Sequence, residues 1–161
     1  MPYSKYPVIS AEEAASNIHS GATVAFSGFS SAGAAKAVPR AIAQQARSYH
    51  GRGEAYRIRV LTGGSTGKSI DEELAGAEAI SWRAPYQSSP ILRRQINRGE
   101  VEYIDMHLSH VPQMVGNGFF GKLDFAVIEA TEITPDGRAL PAPVPGKSPE
   151  GSPPAQPAPV L

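Results

Sequence analysis

Residues 58–77 read IRVLTGGSTGKSIDEELAGA, and their order decides the fold. Ile58-Arg59-Val60-Leu61 is a short apolar run with the length and branching of a buried strand. Thr62 to Gly67 follows as a loop of glycines and hydroxyls. Ile70, Leu74 and Ala77 then recur at i, i+4 and i+7, one apolar face of a helix. Strand, Gly-rich loop and helix in that order form the first part of a crossover unit between parallel strands.

The same grammar extends outward in both directions. Upstream, Ser10-Ala11-Glu12-Glu13 fits a capping box, and Ala11, Ala14, Ala15 and Ile18 give the first helix an apolar face up to Gly21. Thr23-Val24-Ala25-Phe26 reads as a strand, and a loop carrying Gly28 and Gly33 leads to a second helix marked by Val38, Ala41, Ile42 and Ala46. Pro39 requires that this helix begin just before it.

Downstream, Ala79-Ile80-Ser81-Trp82 is a short strand, and Ser89-Pro90 are N-cap and first residue of a helix that Gly99 ends. Val101–Ile104 is a further strand, and Val111, Met114 and Val115 indicate a short helix. Phe125-Ala126-Val127-Ile128 has the continuous apolar character of a strand buried on both faces, and Asp136-Gly137 is a turn. The fold class expected is α/β, a mainly parallel, doubly wound sheet.

At 161 residues the chain is long enough for one cored domain. Residues 141–161 carry eight of the fifteen prolines, no aromatic residue and only Lys147 and Glu150 as charges. Such a segment has few sheet donors and little apolar bulk to offset ordering entropy. The expected organisation is therefore a folded domain over 1–137 and a disordered or polyproline II tail over 138–161.

Fifteen basic residues balance fifteen acidic ones, so nothing electrostatic favours nucleic acid or an anionic membrane surface. The absence of Cys excludes disulfides, thiolate nucleophiles and Cys-ligated metal centres. No uninterrupted apolar run approaches the ~18 residues of a membrane span, and the first residues, MPYSKYPVIS, show no export or transit pattern. A cytoplasmic protein is the expectation.

In a doubly wound sheet, ligands gather at the loops leaving the carboxyl ends of the strands. Those loops are Ser27-Gly28-Phe29, Thr62–Gly67, Arg83-Ala84-Pro85-Tyr86-Gln87-Ser88 and Asp105–His110. Each offers small residues, hydroxyls or titratable groups, although the glycines equally suit tight turns. Gly67-Lys68-Ser69 resembles the end of a nucleotide-binding P-loop, but Thr62 stands where that motif needs its first glycine.

His107 and His110 have a possible metal spacing without a third ligand, and hydrogen bonding or helix capping is the simpler role. No Gly-x-Ser-x-Gly elbow supports a serine hydrolase. Glu129, at a strand end, is either an unusual carboxylate or a paired acid. No catalytic residue, metal or bound cofactor is assigned.

The loop strings together narrow the reading. VAFSGF (24–29), LTGGSTG (61–67), RAPYQS (83–88), GEVEYIDMHLS (99–109) and VIEAT (127–131) resemble, in order from about Val8 to Gly137, the N-terminal domain of the acetyl-CoA hydrolase/transferase family. That family includes succinyl-CoA:acetate CoA-transferases. The resemblance implies a CoA-transferase-type fold, acyl-CoA thioester as substrate, and exchange of CoA with small carboxylates such as acetate and succinate.

It also implies a glutamate that attacks the thioester, passing through acyl anhydride and glutamyl-CoA, with backbone donors holding the oxyanions. In the family that glutamate and the main CoA-binding loops lie in a C-terminal domain. Glu129 sits in a different motif and is not its counterpart. Ser65 and Ser88 occupy the positions whose hydroxyls face the substrate carboxylate, against the alternatives of loop capping for Ser65 and helix capping for Ser88. Arg83 adds charge to the pocket or pairs at the surface.

After Gly137 the chain departs from the family pattern as abruptly as a shifted reading frame would produce. The expectation is a truncated N-terminal domain, inactive alone. The rival is a non-catalytic module that binds carboxylate or docks on a separate C-terminal half or on a second copy.

Overall fold

The computed structural model describes residues 7–29, 32–134 and 138–141. Helix α1 (Ala11–Ser16) opens with Ser10 Oγ accepting from the Glu13 amide at 3.0 Å, as its sequence requires. Strand β1 (Thr23–Phe26) leads to α2 (Ala37–Gly51), with Pro39 in its first turn. Then come β2 (Ile58–Thr62), α3 (Asp71–Gly76), β3 (Ile80–Ala84), α4 (Pro90–Asn97) and β4 (Glu102–Tyr103). Helix α5 (Val111–Gly116) and strand β5 (Phe125–Val127) complete the sheet.

All five strands pair in parallel, in the order β4-β3-β2-β1-β5. The chain steps from β1 to β4 in one direction, so crossovers of one hand place α2, α3 and α4 on one face. It then reverses to reach β5 beyond β1, which puts α5 on the opposite face. The sheet is doubly wound, and the reversal makes the gap between β1 and β5 its topological switch point.

Two apolar layers follow from this winding. Val24, Phe26, Ile58, Val60 and Ile80 face Ile42, Leu74 and Leu92 from the helices. Each fully buried side chain of this size contributes about 1.5–3 kcal/mol. On the other face Leu61, Trp82 and Ala84 pack on Phe120, with Val111, Met114 and Val115 of α5 partly covering them. Arg59 ties that layer down, donating to the Phe120 carbonyl at 2.9 Å with its guanidinium 4.6 Å from the Trp82 ring centre.

Strand β3 does not alternate simply. Ile58 pairs with Ile80 but Arg59 pairs with Trp82, so Ser81 is an extra residue, a β-bulge. The bulge inverts the facing of all that follows. Ile80 looks to the helical layer, Trp82 to the α5 layer, and Arg83 back into the helical side, completely buried.

Some expectations are corrected. Strand β5 is not buried on both faces: it ends the sheet, Ala126 is exposed and Ile128 beyond it is 52% exposed. A continuous apolar run marks a strand, but not whether a neighbour covers it. Residues 138–141, expected in the tail, include strand β7 (Ala139–Pro141), which pairs antiparallel with β6 (Ala130–Ile133). The Asp136-Gly137 turn and residues 142–161 lie outside the described residues.

Candidate active site

Parallel strands deliver every carboxyl-end loop to one edge, and at that edge the loops meet around Gly64. A Cβ added to Gly64 would stand 3.3 Å from Phe29 Cδ2 and 3.8 Å from Leu108 Cδ1, so the loops after β1 and β4 both reach the loop after β2. The loop after β4 is itself held to that after β3: Met106 N–H donates to the Pro85 carbonyl at 3.2 Å and Tyr103 Oη to the same oxygen at 3.4 Å. Burial, more than the nearby Asp105 charge, raises the Tyr103 phenol above its ordinary value.

Ser65 and Ser88, 23 residues apart in sequence, meet here with their Oγ atoms 2.5 Å apart. Ser65 is half-buried and Ser88 exposed, so the pair opens outward. Ser88 does not cap α4; Ser89 does, accepting from Leu92 N–H at 3.3 Å. Their sequence neighbours Thr66 and Gln87 are buried, and Thr66 Oγ1 and Gln87 Oε1 have no hydrogen-bond partner among the described residues. Exposed Phe29, Tyr86 and Leu108 supply an apolar rim on the same loops.

Arg83 is neither a free pocket charge nor a surface pair. Its Nε donates to Asp71 Oδ1 at 2.8 Å and its Nη2 to Asp71 Oδ2 at 3.2 Å, with neither side chain exposed. Nη1 donates to the Ala84 carbonyl, and Nη2 also donates, at 3.4 Å, to the Gly64 carbonyl. The Gly64 carbonyl also accepts from Thr62 Oγ1. The spacing rules gave no hint of this pair; the signal was an arginine inside an otherwise apolar strand, with an acid at the start of the preceding helix.

The switch point is closed by a second set of contacts. Ser27 Oγ donates to the Gly33 carbonyl at 2.7 Å and accepts from the Glu129 amide at 2.8 Å. Glu129 is a paired acid, 2.6 Å from Lys36 Nζ, which also donates to the Ala34 carbonyl. Gly28 is required here: at φ +137° its hydrogen lies against Ala34, whose Cα would be 2.8 Å from any Cβ.

His107 caps a 3-10 turn (Leu108–His110), its Nδ1 accepting from Ser109 N–H at 3.3 Å. Among the described residues no group of three or more His, Cys, Asp or Glu side chains is placed to hold a metal ion. No helix among them is long and apolar enough to cross a membrane.

Parallel α/β domains as a class take small molecules at this carboxyl edge. Comparison with known proteins narrows the class. Residues 1–153 match the profile of the acetyl-CoA hydrolase/transferase N-terminal domain, and the chain belongs to that family.

Propanoyl-CoA:succinate CoA transferase of Escherichia coli K12 is 52% identical over 130 residues, 81% of this chain and 26% of its own length. Succinyl-CoA:acetate CoA-transferase of Clostridium kluyveri is 40% identical over 135 residues, 84% of this chain and 24% of that one. An acetyl-CoA hydrolase of Saccharomyces cerevisiae is 35% identical over 156 residues, 92% of this chain and 29% of that one. The chain thus spans about a quarter of the length of the curated relatives it matches.

The fold is shared with RipA from Yersinia pestis, at a TM-score of 0.56 and 23% identity over 79% of this chain and 29% of that one. It is shared too with the E. coli O157:H7 acyl-CoA transferase YdiF, at a TM-score of 0.52 and 16% identity over 68% of this chain and 22% of that one.

Proposed function

We propose that this chain supplies the carboxylate-binding side of a CoA-transferase or acetyl-CoA hydrolase site, acting on acyl-CoA and small carboxylates such as acetate or succinate. The observation that carries the reading is the 2.5 Å contact between Ser65 and Ser88, two hydroxyls from separate loops held at the edge where ligands bind. In that contact one hydroxyl donates to the other, leaving one hydroxyl proton for another acceptor. An arriving carboxylate takes a hydrogen bond from each serine, exchanging a neutral hydroxyl–hydroxyl bond for two charge-assisted ones. Each bond to a charged acceptor contributes about 1.5–3 kcal/mol.

The attacking glutamate of the transfer reaction belongs, on this reading, to a C-terminal domain equivalent to the part of the relatives that this chain does not match. The chain alone therefore turns over little or no acetyl-CoA. Because the chain has no thiol, CoA release can be followed with a thiol reagent free of protein background. No release by the chain alone, with release on adding the complementary C-terminal portion of the E. coli relative, supports the proposal. Brisk release by the chain alone, abolished by one substitution within it, contradicts it.

A second reading, a docking module, is favoured by the outer edge of β5 and the hairpin beside it. Strand β5 ends the sheet, β6 and β7 pair with each other, and Ile128, Ile133 and Leu140 stand about half exposed. A two-stranded hairpin is at best marginal in water without a surface to pack on. The complementary C-terminal portion is the partner this edge suits. A shift to the mass of a one-to-one complex in size-exclusion chromatography supports docking, and separate elution of the two pieces contradicts it.

A further inference from the structure

We infer that Arg83 is a positioning residue for the Ser65–Ser88 pair, an inference that rests on reading those serines as the carboxylate site. Its planar guanidinium serves three elements at once. Two donors engage Asp71 at the start of α3, at 2.8 and 3.2 Å. A second Nη2 donor reaches the Gly64 carbonyl, immediately before Ser65, at 3.4 Å, and Nη1 reaches the Ala84 carbonyl at the root of the loop that ends in Ser88. The loop after β2, the loop after β3 and the helix between them are thus indexed to one rigid fork.

Three features separate this from ordinary core packing. A buried ion pair is a poor source of stability, since apolar side chains of like volume hold a core as well or better. What the fork adds is geometry, because its donors are fixed in one plane, whereas a lysine offers a point charge on a flexible stem. Finally, the bulge at Ser81 turns Arg83 toward Asp71; with regular alternation from Ile80, residue 83 would face the opposite layer. Arg83 does not touch substrate in this account. It sets the distance between the hydroxyls that do.

The test replaces the pair without leaving a lone buried charge. Asp71→Leu combined with Arg83→Met refills the volume with apolar atoms, and Arg83→Lys keeps the charge while removing the fork. Backbone amide order parameters are measured by NMR at Gly64–Thr66 and Tyr86–Ser88, with β1 and α2 as internal references, and succinate binding is titrated in parallel. Lower order parameters in both loops of the double variant, with β1 and α2 unchanged, and succinate binding weakened about tenfold are the expected result. Arg83→Lys loosens the same loops, and it carries the reading should the double variant fail to fold. Unchanged order parameters in both loops overturn the inference, as does succinate binding by the double variant at wild-type affinity. If the wild-type chain takes no succinate while the variant loops still loosen, the carboxylate reading fails and Arg83 remains the anchor of the two loops.

Discussion

Asp124 and Thr23 are bound to each other twice across 101 residues of sequence. The Asp124 carboxylate accepts from the Thr23 amide at 3.0 Å, and the Asp124 amide donates to the Thr23 carbonyl at 3.0 Å. This reciprocal contact fixes the start of β5 beside the start of β1, and with it the switch point at the far end of both strands.

The contact makes stability depend on pH in a definable window. The Thr23 amide, ahead of Lys122, holds the Asp124 carboxyl below its ordinary value. The unfolded chain therefore binds its proton first as pH falls. The stabilisation is complete above the ordinary aspartate value near 4, declines below it, and is gone once pH passes beneath the depressed folded value. Asp124→Ala is expected to flatten this acid limb in urea denaturation followed from pH 6 to 2. An unaltered limb would mean that other carboxylates control it.

At the alkaline end Tyr56 plays the corresponding part. Its buried hydroxyl donates to the Ile18 carbonyl at 2.8 Å, joining β2 to the end of α1, and burial pushes the phenol up to about 12. The folded state resists ionisation, so stability holds below pH 10 and declines as pH rises from there through 12. Tyr56→Phe removes that loss and costs about 0.5–1.5 kcal/mol at neutral pH, the worth of one hydrogen bond, since the Ile18 carbonyl still accepts from Gln45 Nε2 at 3.3 Å. Equal stability of the two proteins at pH 7 would contradict the contact.

Asp71→Ala strands the Arg83 guanidinium in a dry interior. The expected destabilisation is about 3–5 kcal/mol by chemical denaturation, the cost typical of breaking a buried pair from one side. A loss below about 1 kcal/mol, the range of surface pairs, would show that water reaches the site.

Exposed Ile128, Ile133 and Leu140, together with an edge of β5 that pairs with no strand among the described residues, lead to self-association of the isolated chain. Ile133→Lys with Leu140→Lys is expected to shift sedimentation toward monomer without changing the far-ultraviolet spectrum. A wild-type chain that is already a clean monomer and binds no hydrophobic dye would exclude the sticky edge.

Much of this was legible in sequence for local reasons. Ser10, Gly99 and the Ser89-Pro90 pair mark helix ends because capping chemistry acts within a few residues. The parallel pairing of β1 to β4 follows from repeated crossovers, and Ser65 and Ser88 were reached through motif resemblance. What stayed hidden depends on partners distant in sequence. The burial of β5 is set by whether a neighbour lies beyond it, and strand β7 by its antiparallel pairing with β6, which a proline-rich composition conceals. Arg83 was misread because one extra residue in β3 decides which layer it enters, and no periodicity records a bulge.

The central claim is that Ser65 and Ser88 together receive a carboxylate. It is tested most directly by titrating the isotopically labelled chain with succinate and following backbone amides by NMR. The account predicts saturable shifts centred on Ser65, Thr66, Gln87 and Ser88, with Ser65→Ala and Ser88→Ala each weakening binding about tenfold. Shifts confined to other surfaces, or saturable binding that survives both substitutions unchanged, would contradict it.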